Sequence, residues 1–341
     1  MLQGDQMSDR VTMADVARTV GVSLMTVSRV INRRGDVSDE TRQRVLEAIE
    51  QLGYRPSSIA RGLATSHTGT LGLVVPDVAN PFFSDVARGV EHIAYAASYS
   101  VFLCNTEEDP AREWSVLESL DQQRVDGIIL CSSRLGDTQL DAVCQSDTAV
   151  VLVNRRPPTP ARGVAAVMID DVTGARCTVE HFLERGHQAI AFLAGPANSW
   201  SAQRRMDGYR AALRDAGVAA NPGWILHAAP NVEGGQAATV QLLSRHPELT
   251  ALFCYNDLVA IGCLRACAEL GIRVPDQLAV AGFDDIPLAA LVTPALTTHR
   301  VPRYQLGVHA VKALLDQITG AAEGPGEILV RPELILRASA P

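Results

Sequence analysis

From Leu71 onward, short apolar runs alternate with longer amphipathic segments, and this alternation restricts the possible folds more than any other feature of the sequence. Runs of this length predict strands that are buried on both faces, and the segments between them predict helices. Strands that alternate with helices form parallel α/β sheets. The predicted strands are Leu71–Val75, Val101–Cys104, Gly127–Cys131, Ala149–Val153, Val164–Ile169, Ala189–Ala194, Ala251–Cys254 and Leu278–Phe283.

This region is too long for a single sheet. Eight or more strands within about 270 residues indicate two sheets that follow one another along the chain. The full length of 341 residues likewise exceeds one ordinary core. Predicted helices lie between the strands, at residues 85–97, 111–124, 173–185, 203–216 and 257–270.

The chain before residue 65 has a different pattern, with short helices that carry explicit start signals. Thr12 and Asp15 form a capping-box-like pair, and a second helical run follows Ser23. Two short helices that cross steeply need a small residue at their contact and a positive φ at the turn, and Ala17 and Gly21 meet these needs. The pattern predicts a helix-turn-helix. An ordinary helical hairpin with a solvated basic face is the alternative.

Charge is distributed unevenly between these two regions. The whole chain has a net charge of −8, which argues against a nucleic-acid partner because binding depends on neutralising phosphates. Residues 1–68, however, contain nine arginines and eight acidic residues, a net charge of +1, so the remainder carries −9. Residues 22–34 contain three arginines and no acid. A small cationic face on a nearly neutral module is compatible with DNA binding.

The composition disfavours several protein classes. No run approaches the ~18 uncharged apolar residues of a membrane helix, and 47% apolar residues are too many for a disordered chain. The N-terminal residues lack the basic and apolar regions of a signal peptide. The seven cysteines form no CxxC pair and lie mostly in apolar runs, which is typical of reduced thiols in a cytoplasmic protein.

Extended motifs occur in both regions. Two N-terminal segments resemble the N-terminus of the LacI/GalR family of bacterial transcriptional regulators: VTMADVARTVGVSLMTVSRVIN and VSDETRQRVLEAIEQLGYRPSSIARGL. The similarity extends along the chain through LGLVVPDVANPFF, NDLVAIG and LAVAGFDD. The resemblance implies an all-α helix-turn-helix headpiece, a hinge helix and an α/β two-lobed core. That core would be like the periplasmic binding proteins, with two parallel sheets in Rossmann-like subdomains.

The resemblance also implies domain boundaries. The headpiece is expected at residues 1–56, the hinge helix and linker at 57–68, and the effector-binding and dimerisation core at 69–341. Within the core, the N-subdomain is expected at about 69–170 and 301–326, and the C-subdomain at about 171–300 and 327–341.

DNA contacts are expected on the second helix of the headpiece. Leu24, Met25 and Arg29 match the base-reading positions of the family. Arg29 can donate two hydrogen bonds to guanine O6 and N7, whereas the two apolar residues can only pack on base edges or thymine methyls. Short polar side chains suited to phosphate oxygens are Thr12, Thr26, Ser28 and Asn32.

Residues 57–63 match the hinge helix of the family. Seven residues cannot hold a helix alone, so the resemblance implies that this one forms only beside a second copy on DNA. Ala60 and Leu63 are its expected DNA contacts, with Leu63 as a wedge between base steps in the minor groove. A linker leucine packed on the core is the alternative for Leu63. Gly62 should make the helix harder to form by up to ~1 kcal/mol.

Effector contacts are expected at the carboxyl ends of strands, where α/β sheets bind ligands. Positions that match the family's ligand site hold two aromatic side chains, which could stack on a sugar face, and four polar side chains that could bond hydroxyls. These residues are Phe82, Phe83, Asn154, Arg205, Asn256 and Asp284.

Three of these residues have plain structural alternatives. Arg205 could be surface charge, Asn256 could cap a helix that starts at the next residue, and Asp284 with Asp285 could cap a helix near Pro287. Near Pro230 the alignment gives no aromatic residue where some relatives place one.

The implied function is that of a transcriptional regulator, expected to be a repressor. It would bind palindromic operator DNA as a homodimer and respond to a small effector such as a sugar or polyol. Nucleobase-binding members share the scaffold, so the effector stays open. No hydrolase, phosphate-loop or dinucleotide motif is present, and no metal or cofactor is predicted. The alternatives are a transport-type sugar-binding protein, which would require export, and a sugar-active enzyme, which would convert its ligand.

Overall fold

The computed structural model describes residues 11–31, 35, 37–54, 67–159, 163–321 and 326–341. The chain forms two compact units, Met1–Thr68 and Gly69–Pro341. None of the helices within the described ranges is long and apolar enough to cross a membrane.

Helices make up the described part of the N-terminal unit, in the order α1 (Met13–Val20), α2 (Leu24–Ile31) and α3 (Asp39–Leu52). The predicted capping box closes the start of α1, because the Thr12 amide donates to Asp15 Oδ2 at 2.9 Å and the Asp15 amide donates to the Thr12 hydroxyl. Gly21 follows α1 at φ 73° and turns the chain into α2. The helices bury a small core of valines and alanines together with Tyr54. The helix-turn-helix prediction is confirmed.

A six-stranded parallel sheet forms the first lobe of the C-terminal unit. Its strands are β1 (Thr70–Val75), β2 (Ser100–Asn105), β3 (Gly127–Cys131), β4 (Ala149–Val153), β5 (Ala165–Ile169) and β11 (Glu327–Val330). They lie in the order β11-β5-β4-β3-β1-β2. The helices of this lobe are α4 (Pro81–Ala96), α5 (Pro110–Gln122), α6 (Asp137–Cys144) and α11 (Arg303–Ile318).

A four-stranded parallel sheet forms the second lobe, in the order β7-β6-β8-β9 of the strands β6 (Ile190–Ala194), β7 (Ile225–His227), β8 (Ala251–Cys254) and β9 (Ala279–Ala281). Its helices are α7 (Asp171–Glu184), α8 (Trp200–Asp215), α9 (Val232–Arg245) and α10 (Asp257–Leu270). An antiparallel pair joins the segments that run between the lobes, namely β10 (Thr298–Arg300) and β12 (Glu333–Ile335).

All eight predicted strands are present, and their ends fall within two residues of the predicted ends. The prediction that the strands are buried is wrong for β2. This strand forms one edge of its sheet, and Phe102 and Leu103 are 41% and 51% exposed. An edge strand has a partner on one side only, so part of its surface stays open.

The predicted return to the second subdomain at residue 327 is also wrong. β11 pairs in parallel with β5, and the Asp170 amide donates to the Val330 carbonyl at 2.9 Å, so Glu327–Val330 belongs to the first lobe. The chain returns to the second lobe further on, where the Ser339 carbonyl accepts a bond from the Val280 amide at 3.0 Å. The four residues of β11 alternate between exposed and half-buried, a pattern that does not indicate which sheet they join.

Candidate functional site

A cleft between the two lobes collects side chains from the carboxyl ends of strands in both sheets. The space between its walls is about 340 Å³ with the open solvent at its mouth included. All six predicted effector residues line it. The complete lining is Asn80, Phe82, Phe83, Glu108, Ser132, Arg134, Asn154, Ser201, Arg205, Pro230, Tyr255, Asn256 and Asp284.

Phe82 and Phe83 form an aromatic wall of the cleft, at the start of α4. Asn80 caps this helix, since its Oδ1 accepts a bond from the Phe82 amide at 2.9 Å, and Pro81 occupies the first helical position. The two rings meet edge to face, with centroids 5.0 Å apart. Both side chains are buried, so the helix start and the mutual packing of the rings fix the position of the wall.

Arg205 is the centre of a buried ion network. Its Nε donates to Asp171 Oδ1 at 2.8 Å, its Nη1 donates to the Tyr255 carbonyl, and its Nη2 lies 3.6 Å from Asp284 Oδ1. The guanidinium carbon also lies 3.6 Å from the centroid of the Phe283 ring. Only 2% of Arg205 is exposed. The alternative that it is surface charge is therefore wrong.

Three carboxylates are buried in and around this network. Burial raises the pKa of Asp171, Asp257 and Asp284 above the ordinary range, and the positive charge of Arg205 opposes that rise for Asp171 and Asp284. Asp257 serves the scaffold, because its Oδ2 accepts a bond from the Ile286 amide at 2.8 Å. Asp284 lines the cleft and can accept bonds from a ligand.

The backbone around Asp284 is strained. Asp284 and Asp285 adopt φ values of 115° and 51°, in the region that favours glycine. The short 3-10 helix Pro287–Ala290 begins after Ile286 and has no side-chain cap, so the alternative that Asp284 and Asp285 cap a helix here is wrong. Strained backbone of this kind persists only where surrounding contacts fix it, and it is concentrated at functional sites.

Asn154 and Asn256 follow β4 and β8. Asn154 has φ 58°, its Nδ2 donates to the Ser201 hydroxyl of the other lobe at 2.6 Å, and its buried Oδ1 has no hydrogen-bond partner within the described part of the chain. Asn256 caps α10, because its Oδ1 accepts a bond from the Val259 amide at 2.9 Å. Its Nδ2 donates to the Pro230 carbonyl at 3.3 Å. The capping role considered for Asn256 is confirmed, and its ligand contact stays a prediction.

The cleft contains a second buried arginine that the sequence reasoning missed. Arg134 is 3% exposed, and its Nε donates to the Glu108 carboxylate while its backbone amide donates to the Glu113 carboxylate at 2.8 Å. Tyr255, also missed, supplies an aromatic ring on the second lobe. Arg134 follows β3 and Tyr255 follows β8, so the rule that ligands bind at the carboxyl ends of strands could have found both.

In the N-terminal unit, the predicted base-reading residues are exposed on α2. Leu24 and Met25 are 53% and 65% exposed, and Arg29 is exposed as well. The Thr26 hydroxyl lies 2.9 Å from that of Ser23 at the start of the helix. Large apolar side chains on an open helix face are available to a partner. Three other predicted DNA contacts lie outside the described residues: Asn32, Ala60 and Leu63.

The chain matches known families over almost its whole length. Residues 68–338 match the family described as periplasmic binding proteins and sugar binding domain of LacI family, and residues 12–57 match bacterial regulatory proteins, lacI family.

Curated proteins and solved structures agree with these matches. The chain is 37% identical to the HTH-type transcriptional repressor PurR of Haemophilus influenzae strain PittEE, over 96% of this chain and 98% of that protein. It is also 37% identical to the ribose operon repressor of Halalkalibacterium halodurans, over 94% and 96%. The Lac repressor dimer bound to operator and the anti-inducer ONPF has a TM-score of 0.84 at 29% identity, covering 97% of this chain and 99% of that chain. The complex of the regulator CelR with cellobiose has a TM-score of 0.71 at 30% identity, covering 97% and 100%.

Proposed function

This chain belongs to the LacI family of bacterial regulatory proteins, and we propose that its effector is a neutral sugar or polyol bound in the cleft between the lobes. The family matches cover both units, and the two curated relatives named above are a transcriptional repressor and an operon repressor. The protein is a ligand-responsive, DNA-binding transcriptional repressor. The charges of the cleft indicate the class of effector.

The pairing of charges in the cleft is the observation that carries the proposal. The lining contains two arginines, and both are already paired. Arg134 donates to Glu108, and Arg205 donates to Asp171 and lies beside Asp284. An anionic ligand, such as a sugar phosphate, would find no unpaired cation among these lining residues and would meet the Glu108 and Asp284 carboxylates, which repel it. A neutral polyhydroxyl ligand leaves both pairs intact.

The remaining polar atoms suit hydroxyl groups. The Asn154 Oδ1 and the Asp284 carboxylate accept hydrogen bonds, and Phe82 and Phe83 offer an apolar wall for the C–H face of a sugar ring. Two relatives are consistent with this class of ligand, since one is named a ribose operon repressor and the other was solved with cellobiose.

We assign operator recognition to the exposed face of α2. Arg29 would read guanine with two hydrogen bonds, and a homodimer would place one headpiece on each half-site of a palindromic operator. The Lac repressor, to which the chain is similar, was solved as a dimer on operator DNA. Because DNA is the partner, we propose the cytoplasm as the compartment.

The edge strand β2 supports the homodimer. Phe102 and Leu103 are successive residues of this strand and so point to opposite faces of the sheet, and both are exposed. An open apolar edge is a hazard for a monomer, because it invites pairing with other chains. A second copy of the chain that covers β2 would remove this hazard.

A thermal-shift screen with the purified full-length protein tests the class of effector. The probes are D-ribose, D-galactose, cellobiose, D-ribose 5-phosphate and guanine. We expect a neutral sugar to raise the Tm and the sugar phosphate to leave it unchanged. A response to the phosphate alone, or to guanine alone, would refute the proposal.

Two variants connect the response to the cleft. Asn154→Gly removes the buried acceptor and keeps a residue that tolerates φ 58°, so we expect it to lose the sugar-induced shift. Asn221→Ala is the matched control, because Asn221 caps the 3-10 helix Pro222–Trp224 and does not line the cleft. It should keep the shift. Equal shifts in both variants would place the ligand elsewhere.

A further inference from the structure

Arg303, the first residue of α11, bonds to groups from both lobes. Its Nε donates to Asp85 Oδ2 on α4 of the first lobe at 3.0 Å. Its Nη1 donates to the backbone carbonyls of Asp284 and Asp285 in the second lobe, the latter at 2.7 Å. The Arg303 side chain is only 12% exposed, so water competes little for these bonds.

The two carbonyls belong to the strained segment of the effector cleft. The Asp284 carboxylate faces Arg205 in the cleft, whereas the Asp285 carboxylate accepts bonds from Arg300 at 2.9 Å and from Arg337 at 2.6 Å. Both aspartates have positive φ, and such backbone needs fixed partners to persist. Arg303 provides partners for the carbonyl oxygens of both residues.

On the first lobe, Arg303 is attached to a tightly packed pair of helices. A Cβ atom built on Gly307 of α11 would lie 2.1 Å from the Val86 carbonyl oxygen of α4, and one on Gly89 of α4 would lie 2.1 Å from the Tyr304 carbonyl oxygen. The two backbones therefore touch at both glycines, and packing as close as this transmits a displacement of one helix to the other. Asp85 also lies one turn after the aromatic wall at the start of α4.

We infer that Arg303 is a positioning residue that connects the Asp284 side of the cleft to the α4–α11 helix pair of the first lobe. A ligand that shifts Asp284 acts through Arg303 on this pair, and so on operator affinity. This inference rests on the proposed function. Arg300 is the matched control, because it holds Asp285 through the carboxylate, and its other ion-pair partner is Glu333 of β12, outside the first-lobe sheet.

The test measures how strongly a sugar changes operator affinity in the full-length protein. The operator is a duplex selected in vitro with the purified protein, and its Kd is measured by fluorescence anisotropy at fixed salt, with and without sugar. The sugar is whichever of D-ribose, D-galactose and cellobiose gives the largest thermal shift. In the unmodified protein we expect a change of about 5–150-fold.

The variants separate Arg303 from a general effect on stability. Arg303→Met should reduce the sugar-induced change to less than about twofold while the sugar still binds, and Arg300→Met should keep the full change. Arg303→Lys retains a donor and the charge, so it should give an intermediate change. It also serves as the second variant if Arg303→Met does not fold. The measured ratio is the operator Kd with sugar divided by the Kd without it. If Arg303 had a purely structural role, all three variants would have a lower Tm and this ratio would stay unchanged.

Two results would overturn the inference. The first is that Arg303→Met has the same ratio of operator Kd with and without sugar as the unmodified protein. The second is that Arg300→Met loses as much of the sugar-induced change as Arg303→Met does. If no sugar changes the operator affinity of the unmodified protein, the proposed effector class fails instead. Hydrogen exchange without ligand then decides the role of Arg303. Faster amide exchange in Arg303→Met both at residues 284–286 and at the start of α4 supports the connection, and faster exchange at 284–286 alone overturns it.

Discussion

Replacing Arg205 by methionine tests the ion network that organises the cleft. Methionine is unbranched and uncharged, so Arg205→Met keeps most of the apolar volume and removes every donor. The Asp171 and Asp284 carboxylates, which are 1% and 5% exposed, would stay buried without their nearest guanidinium. The Tyr255 carbonyl would lose its bond as well.

The expected cost follows from these contacts. Removing one partner of a buried ion pair costs about 3–5 kcal/mol, because the remaining charge is not compensated. Contact between the methionine sulfur and the Phe283 ring should offset ~0.3–1.5 kcal/mol of this loss of stability. We therefore expect the free energy of unfolding of the C-terminal unit to fall by about 3 kcal/mol at neutral pH.

The pH dependence has a defined sign. Burial raises the pKa of Asp171 and Asp284 in the folded state, and removing Arg205 raises them further. The folded state then binds protons more tightly than the unfolded state, so stability falls as pH rises through the folded-state pKa. The destabilisation of Arg205→Met should be largest at neutral pH and should shrink as the pH is lowered.

Urea unfolding monitored by circular dichroism at pH 7.5 and pH 5.5 measures both effects. Arg204→Met is the matched control, because Arg204 is 42% exposed and its pair with Asp207 contributes less than ~0.5 kcal/mol. Adding Asp171→Asn to Arg205→Met should recover part of the loss, since it removes one of the uncompensated charges. A loss below about 1 kcal/mol at pH 7.5, or one that grows as the pH falls, would refute the role given to Arg205.

Three further predictions concern single side chains. Asn256→Ala and Asn231→Ala each remove a helix cap, so each should lower the free energy of unfolding in urea by ~1 kcal/mol. Calorimetry should show weaker sugar binding for Asn256→Ala only. Equal sugar affinities of the two variants would contradict this prediction. Burial raises the pKa of Asp284, and its ionised form accepts hydroxyl bonds best, so sugar affinity should rise from pH 5.5 to pH 8. Asp284→Asn should flatten this profile, and an unchanged slope would exclude Asp284 as its source. Arg29→Met should reduce the discrimination between the selected operator and one with a substituted guanine by ~1–3 kcal/mol in anisotropy titrations, whereas Arg18→Met on α1 should preserve it.

Most of the architecture could be predicted because each sequence pattern has one local physical cause. Parallel strands covered on both faces must be apolar, so the apolar runs mark their positions. Thr12 with Asp15 and Gly21 mark the ends of α1, because the first two satisfy amides at the start and the third tolerates positive φ at the end. The six effector residues came from the family resemblance, and the structure brings all of them to one cleft.

Features that depend on distant partners could not be predicted. The apolar residues Phe102 and Leu103 are compatible with a central or an edge strand, and only the order of strands decides between them. Arg134 stands in a loop, where an arginine is usually exposed, and its burial is compensated by Glu108, which accepts a bond from its Nε, while Glu113 accepts one from its backbone amide. Because such partners are far apart in the sequence, the sequence does not show which residues pair.

The adjacent aspartates after β9 explain how ligand binding and coupling can share one segment. Positive φ at Asp284 and Asp285 directs one carboxylate to Arg205 in the cleft and the next to Arg300 and Arg337 outside it. Because the carbonyls of the same two residues bond to Arg303, any change in the partner of Asp284 acts on a segment that is already connected to the first lobe. Coupling between effector and operator therefore needs no separate relay through the core of the second lobe.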